Sequence, residues 1–377
     1  MKTKDQKLER VFLSSTFMLV VVLSFAATVN AQQTMSEVTL IDVFKNGEEG
    51  YSCFRIPAML LTQNGTLLAF CEARKYSCKD HGFVDLVLKR SFDQGQTWSA
   101  LQVVYSNSTD DGEWNTIGNA APVQDRKTST ILLVFCRNNL QVMISRSNDD
   151  GVSWSSPQNI TNVVESDWGW VGTGPPSSLQ LSSGRIVVPC YHQEHSVDGW
   201  LNSQSHIMYS DDGGMTWVLG VTVESVWRGN ECQAAPLSPH NDSFLLNMRS
   251  DVGYRLLATS YDGGLSFTEP VLQKDLTETL GGCEGSTILH STSGLLLFSN
   301  PSVPFYSPFR FNMSLHTSAD AGQTWKFWGT IWSKAAGYSS LVEMADHSVS
   351  VIFERANTTH LIQEPQVLSI APSFYSP

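Results

Sequence analysis

An octet of the form Ser-x-Asp-x-Gly-x-Thr/Ser-Trp/Phe occurs five times along the chain, starting at Ser91, Ser147, Ser210, Ser260 and Ser318. The copies end at Trp98, Trp154, Trp217, Phe267 and Trp325, and successive starts lie about 50 to 63 residues apart. Each specified residue type makes up only a few per cent of average sequences, so five near-evenly spaced matches reflect architecture, not coincidence. A β-rich run precedes the octets, as in Asp85 to Arg90 and Gln141 to Arg146, and the Asp-x-Gly centre is turn chemistry. Each copy therefore reads as a hairpin. The Asp accepts hydrogen bonds from turn amides, the Gly supplies a backbone shape that other residues resist, and the terminal aromatic folds back onto an apolar layer. With its chemistry committed to the turn, the octet is a staple and not catalytic machinery.

A period of about 55 to 60 residues suits a four-stranded blade, and residues 32–377 divide into about six of them. Long apolar faces at helical spacing are missing, whereas short runs such as Gly184 to Pro189 and Ser293 to Phe298 recur. The expected fold is all-β: a single six-bladed β-propeller domain with four-stranded antiparallel blades over 32–377.

Residues 1–31 read as a signal peptide, with a charged stretch Met1 to Arg10, an apolar core around Phe17 to Ala27 and a small-residue exit at Val29-Asn30-Ala31. The competing reading is a retained membrane anchor; no later segment is apolar and long enough to span a bilayer. Such a leader implies the secretory pathway, ending in secretion or lysosomal delivery. Residues 1–31 carry Lys2, Lys4, Lys7 and Arg10 against Asp5 and Glu9, so their removal moves the formal charge from -12 to -14. So acidic a protein does not seek nucleic acid, and an anionic substrate would have to be captured by locally clustered Arg. Cys53, Cys71, Cys78, Cys136, Cys190, Cys232 and Cys283 make seven thiols, some expected to pair in an oxidising compartment. Sequons start at Asn64, Asn107, Asn159, Asn241, Asn312 and Asn357, and glycans there would require exposure.

Familiar hydrolase signatures such as Gly-x-Ser-x-Gly and His-Glu-x-x-His are absent, as is a phosphate-binding glycine loop. The nine His form no convincing metal set; His192, Glu194 and His195 read as a solvated face. Attention falls instead on charges embedded in apolar strands, where an ion is costly without a partner or ligand. Arg55 lies in Phe54-Arg55-Ile56-Pro57, Arg74 and Arg249 follow strand-like runs, and Arg310 sits between Phe309 and Phe311.

The octets and their flanking segments resemble the exo-α-sialidase (neuraminidase) family with aspartate-box repeats, over nearly all of residues 32–377. The resemblance includes Phe54-Arg55-Ile56-Pro57, Glu72-Ala73-Arg74 with Asp80 six residues on, Glu231-Cys232-Gln233, Asn247-Met248-Arg249, Ser299-Asn300-Pro301 before Arg310, and Gly337-Tyr338-Ser339-Ser340-Leu341. It implies that Arg55, Arg249 and Arg310 form a triad around a substrate carboxylate, which suits planar guanidinium forks. It implies Tyr338 as nucleophile and Glu231 as its general base. A carboxylate nucleophile would be repelled by the carboxylate of sialic acid, whereas a phenol approaches neutral and loses its proton during attack. Asp80, in the loop Tyr76 to Gly82, becomes the candidate acid/base, Glu354 the carboxylate that orients Arg55, and Arg74 and Glu72 further binding positions.

The implied activity is hydrolysis of terminal α-linked sialic acids from glycoconjugates with retention, through a tyrosyl-glycoside intermediate and with no metal or cofactor. A trans-sialidase would use the same residues, and a non-catalytic sialic-acid-binding propeller would keep the Arg cluster without needing Glu231 and Tyr338. Trp168, Trp170, Trp200 and Trp227 read as loop anchors or as platforms for an acceptor sugar. Phe267 replaces Trp in the fourth octet as a core substitution. Cys71 and Cys78 bracket Arg74, either as a disulfide bracing the loop or as free thiols.

Overall fold

The computed structural model describes residues 38–107, 115–194, 202–304, 307–358 and 365–376, which all fall in the compact unit Met35–Pro377. The expected leader over 1–31, His195, Trp200 and Pro377 lie outside the described residues. The protein is all-β: among the described residues, short β-rich runs give twenty-four strands, with a 3-10 turn at Thr161–Val163.

Strands β1 (Ile41–Lys45), β2 (Cys53–Leu61), β3 (Leu67–Arg74), β4 (Phe83–Ser91) and β5 (Gln102–Tyr105) open the chain. Of these, β2 to β5 pair antiparallel in sequence order. The pattern repeats in β6 (Asn115–Gln124), β7 (Ile131–Arg137), β8 (Gln141–Ser147) and β9 (Gln158–Asn159). Next come β10 (Trp168–Thr173), the short β11 (Leu179–Gln180), β12 (Ile186–Glu194), β13 (Ser203–Ser210) and β14 (Val218–Val223), with β10 and β11 both pairing β12. β15 (Cys232–Pro236), β16 (Phe244–Met248), β17 (Tyr254–Ser260) and β18 (Val271–Thr277) form a four-stranded sheet. Then β19 (Ser286–Leu289), β20 (Leu296–Pro301) and β21 (Phe311–Ser318) lead into the eighteen-residue β22 (Lys326–Glu343). The first part of β22 pairs β21 and its second part pairs β23 (Val349–Arg355), which pairs β24 (Val367–Tyr375). β1 returns to cover the outer edge of β24.

All five octets close hairpins: β4–β5, β8–β9, β13–β14, β17–β18 and β21–β22. In the first, Asp93 accepts from Thr97 N and Ser91 Oγ at 2.8 Å each and from Thr97 Oγ1 at 2.5 Å. Ser91 Oγ in turn accepts from Gly95 N at 2.8 Å, and Trp98 Nε1 donates to Gly95 O at 3.1 Å. The octet glycines, Gly95 to Gly322, have φ between 80° and 89°, a region that L side chains avoid. The bonds from Thr97 hold Asp93 below the usual carboxylate range, and the equivalent bonds from Thr216 bring Asp212 to about 2. The β24–β1 pairing joins segments from opposite ends of the sequence, so no hairpin links them and no octet is needed there.

Apolar layers fill the space between successive strand groups. One contains Leu68, Phe70, Leu88, Ile131, Leu133 and Phe135, from β3, β4 and β7. Another joins Phe44, Phe54, Ile352, Leu368 and Ile370, bringing β1 and β2 against β23 and β24. Each fully buried Phe or Leu contributes about 1.5–3 kcal/mol relative to exposure. Phe267 packs edge-on against Phe244 with centroids 5.6 Å apart, the core role expected for it.

Candidate active site

Three strands depart from regular pairing where the charged residues cluster. β2 shifts register between Arg55 and Ala58, β6 between Gly118 and Ala121, and β22 between Ala336 and Ser339. Ile56 sits at φ 57° and Asn119 at φ 58°. For a β-branched residue that conformation costs about 1–3 kcal/mol and persists only where its surroundings enforce it. Buried carboxylates do so here. Glu354 accepts from the backbone N–H of Ile56 at 3.1 Å and of Tyr338 at 3.2 Å, Glu72 from that of Asn119 at 3.2 Å, and Glu284 from that of Ser339 at 2.8 Å. A Cβ at Gly118 would run into the Glu72 carboxylate and one at Gly337 into that of Glu354, so both positions require glycine.

These distortions aim side chains into one cavity of about 1000 Å³, which all nine expected site residues line: Arg55, Glu72, Arg74, Asp80, Glu231, Arg249, Arg310, Tyr338 and Glu354. Arg55 donates to both Glu354 oxygens, at 3.0 and 3.2 Å, and through Nη1 to Asp80 at 3.1 Å. Arg249 donates through Nη1 to Glu231 at 2.6 Å and to the Tyr338 phenol oxygen at 3.0 Å. The Arg55 and Arg310 guanidinium carbons lie 5.3 and 5.6 Å from the Tyr338 ring centroid. The phenol O–H donates to the other Glu231 oxygen. Burial, then the Glu231 charge, pushes the Tyr338 phenol well above its ordinary value, against the pull of Arg249 and Arg310.

Asp80 differs from the other carboxylates in being exposed: 68% of its side chain is accessible. Partial desolvation would raise its pKa, but Arg74 at 2.8 Å and Arg55 outweigh that and hold it below the usual range. Arg74 is buried and also donates to Glu72, at 2.6 and 3.1 Å. Burial raises the Glu72 carboxyl, and Arg74 offsets that only in part.

The sequence reading missed the backbone that anchors Arg249 and Arg310. Arg249 donates to Gly281 O at 2.7 and 3.1 Å, and Arg310 to Gly282 O at 3.0 Å, so one turn anchors both. Behind that turn, Arg255 and Glu278 form a fully buried ion pair at 2.6 Å; Arg255 also donates to Cys283 O at 2.7 Å, and Ser250 N donates to Glu278 at 3.0 Å. Arg255 stands in Tyr254-Arg255-Leu256-Leu257, a charge inside an apolar strand, which is the same signal that marks Arg55. Asn119, Tyr191, Arg228 and Asp251 also line the cavity.

Other expectations need correction. His192 is not on a solvated face: β10 and β13 flank β12 on both sides, and His192 is 4% exposed, stacked 3.6 Å from the Trp168 ring centroid. Cys71 does not pair with Cys78. Cys71 points into the core under β3, while Cys53, the cross-strand neighbour of Arg74, takes Cys78 as its disulfide partner. Asn64, Asn159, Asn241 and Asn357 are exposed, but Asn312 is half-buried and its amide donates to Ser302 O at 2.8 Å. Trp168 and Trp227 pack on apolar clusters; Trp170 lines the cavity. Among the described residues no group of three or more His, Cys, Asp or Glu could hold a metal ion, and no helix is long and apolar enough to cross a membrane.

The arrangement offers cationic donors for an anion, a phenol in contact with a base, and an exposed carboxyl at the rim. A family model described as a BNR repeat-like domain matches residues 65–351. The chain is 28% identical over 348 residues to the sialidase of Bacteroides fragilis, covering 82% of this chain and 61% of that protein. It is 31% identical over 274 residues to the sialidase of Clostridium perfringens, covering 64% of this chain and 67% of that one. Among solved structures, the Hadza microbial sialidase Hz136 superposes with TM-score 0.77 at 27% identity, covering 88% of this chain and 68% of that chain. The chain spans 54–61% of the length of several curated relatives it matches. On its repeats, its cavity and these matches, the chain belongs to the sialidase family with BNR (aspartate-box) repeats.

Proposed function

We propose that this protein is a retaining exo-α-sialidase that hydrolyses terminal α-linked sialic acids from glycoconjugates. The observation that carries this reading is the contact of the Tyr338 phenol with both Glu231 and Arg249 between the guanidinium groups of Arg55 and Arg310. Arg55, Arg249 and Arg310 seat the sugar carboxylate. Their local positive charge offsets a protein whose formal charge is -12. A buried phenol with a raised pKa is a poor nucleophile until a base in contact takes its proton. As Glu231 becomes neutral by accepting that proton, the nascent phenolate is left facing three cations. Tyr338 then bonds to the anomeric carbon while Asp80 protonates the departing oxygen; in the second half Asp80 activates water, which releases the sugar with retention. Glu354 holds Arg55, and Arg74 with Glu72 shapes the wall beside Asp80.

The proposed frame is a six-bladed propeller, supported by the recurring antiparallel groups, the apolar layer between each group and the next, and closure by β1 on β24. Secretory delivery, to the outside or to a lysosome, is proposed from the leader-like first residues.

The test is release of 4-methylumbelliferone from its α-sialoside by wild type and Tyr338→Phe. Turnover by wild type that is lost in the variant supports both the activity and the nucleophile. A folded wild type that binds sialosides without turnover would make the protein a lectin.

A further inference from the structure

Cys53 is fully buried at the start of β2, two residues before Arg55; Cys78 lies two residues before Asp80 in the loop between β3 and β4. Their disulfide brings the two Cα atoms to 5.2 Å. Residues 75–77 and 79–81 are exposed, and Cys78 is the half-buried residue among them. Apart from the disulfide, the tip of the loop is held largely by charge: Arg74 donates to Cys78 O at 2.5 Å and to Asp80 at 2.8 Å, and Arg55 to Asp80 at 3.1 Å. His81 adds an edge-on contact to Trp170 at 5.5 Å.

Those ion pairs oppose the work expected of Asp80. To give a proton to a leaving oxygen the carboxyl must first be neutral, and a neutral carboxyl is no longer held by two guanidinium groups. Arg55, moreover, faces the position where a substrate carboxylate would compete for it. A tether indifferent to charge is therefore needed if the loop is to stay over the cavity while its ion pairs loosen, and the disulfide is one.

We propose that the Cys53–Cys78 disulfide is a positioning device for Asp80, keeping the carboxyl within reach of the leaving-group oxygen when its contacts to Arg74 and Arg55 relax. The proposal rests on the sialidase reading and assigns Cys53 and Cys78 a part in leaving-group protonation.

The leaving group supplies a readout that general loosening would not move. A sugar hydroxyl departs only when protonated, whereas 4-methylumbelliferone departs with little help. The full chain and its Cys53→Ala/Cys78→Ala variant are compared on sialyllactose and on the 4-methylumbelliferyl sialoside. Because general acid catalysis contributes about 10²–10⁴-fold, kcat/KM, which reports departure of the leaving group and not the later water step that both substrates share, is expected to fall at least about tenfold on sialyllactose and less than about threefold on the aryl substrate. Equal losses on the two substrates, or none on either, would overturn the proposal. Should the variant fail to fold, the same comparison is made on folded wild type reduced with tris(2-carboxyethyl)phosphine, which forms two thiols and the phosphine oxide at the expense of one water. Reoxidation must then restore the sialyllactose rate. A wild type inactive on both substrates sinks the sialidase reading and this proposal with it; a wild type active on both, with a variant weakened equally on both, sinks the positioning role alone.

Discussion

Glu354 ties Tyr338 to Arg55 through a single oxygen, Oε2, which accepts the backbone N–H of Tyr338 and the Nη2 of Arg55, each at 3.2 Å. Its other oxygen takes Arg55 Nε at 3.0 Å and the N–H of Ile56 at 3.1 Å. One carboxylate thus fixes the backbone that presents the phenol, the guanidinium beside it and the irregular turn of β2.

Removing that carboxylate is predicted to damage the fold as well as the site. Glu354→Ala leaves Arg55 buried with only the exposed Asp80 as counter-ion, and it leaves two buried amides without acceptors. Breaking a buried pair in this way costs about 3–5 kcal/mol. Urea unfolding should show a loss of that size. A change below about 1 kcal/mol would mean that water or another side chain replaces Glu354 and that its structural role is minor.

Glu231 and Tyr338 should behave as one catalytic unit. Glu231→Gln keeps the shape but cannot accept the phenol proton, and a fall in kcat of about 10²–10⁴-fold is expected. Adding Tyr338→Phe to it should cost little more, since residues that act together are not additive. Steady-state kinetics on a sialoside, with calorimetry of sialic acid binding to confirm an intact pocket, would check this. Multiplicative losses in the double variant would separate the two roles.

The alkaline limb of kcat/KM should report Asp80 in the free enzyme, because only its protonated form can act as the acid. Arg74 and Arg55, outweighing partial desolvation, hold that carboxyl low, so the limb should lie on the acidic side. Replacing Arg74 and its partner together, as Glu72→Gln/Arg74→Met, removes the cation nearest Asp80 without stranding a buried carboxylate. The limb should then move to higher pH. A limb that stays in place, or moves down, would assign it to another group.

What was legible in the sequence were features written locally. An octet carries its own turn, so Asp93 and its four counterparts announced hairpins and their spacing announced repetition. Arg55 and Arg310 stood out as charges inside apolar segments, and the family resemblance supplied Tyr338, Glu231 and Asp80 together. The supports were less legible because each is defined by a partner far along the chain. Glu354 meets Arg55 across 299 positions and was named only through the family resemblance, and Cys53 meets Cys78 across 25, whereas proximity in sequence suggested Cys71. Arg255 carried the same signal as Arg55, but its partner Glu278 lies in a turn with no apolar run to mark it. His192 was misread because a strand residue next to polar neighbours looks solvated until the strands on either side and the Trp168 ring cover it.

That covered histidine pair gives the last prediction. His192 and His206 meet through their Nδ1 atoms at 3.0 Å, on adjacent strands β12 and β13. One must donate and the other accept, so the two rings cannot both be protonated in the fold. Burial lowers His192 to about 4, slightly opposed by Asp167, and burial, then the neighbouring His192, lowers His206 well below its ordinary value. In the unfolded chain both protonate near the usual 6.5. Their folded values are depressed, so the stability they contribute is complete above about pH 6.5 and is lost as pH falls toward 4. For His192 alone, a shift from 6.5 to about 4 corresponds to about 3 kcal/mol. Denaturant unfolding between pH 7 and 4.5 should therefore show a steep acid loss in wild type. His192→Phe/His206→Leu, which keeps an aromatic ring against Trp168 and removes both titrating groups, should flatten it by at least about 2 kcal/mol. Parallel curves for the two proteins would mean that the pair stays neutral, or is solvated, throughout this range and that carboxylates alone set the acid limit of the fold.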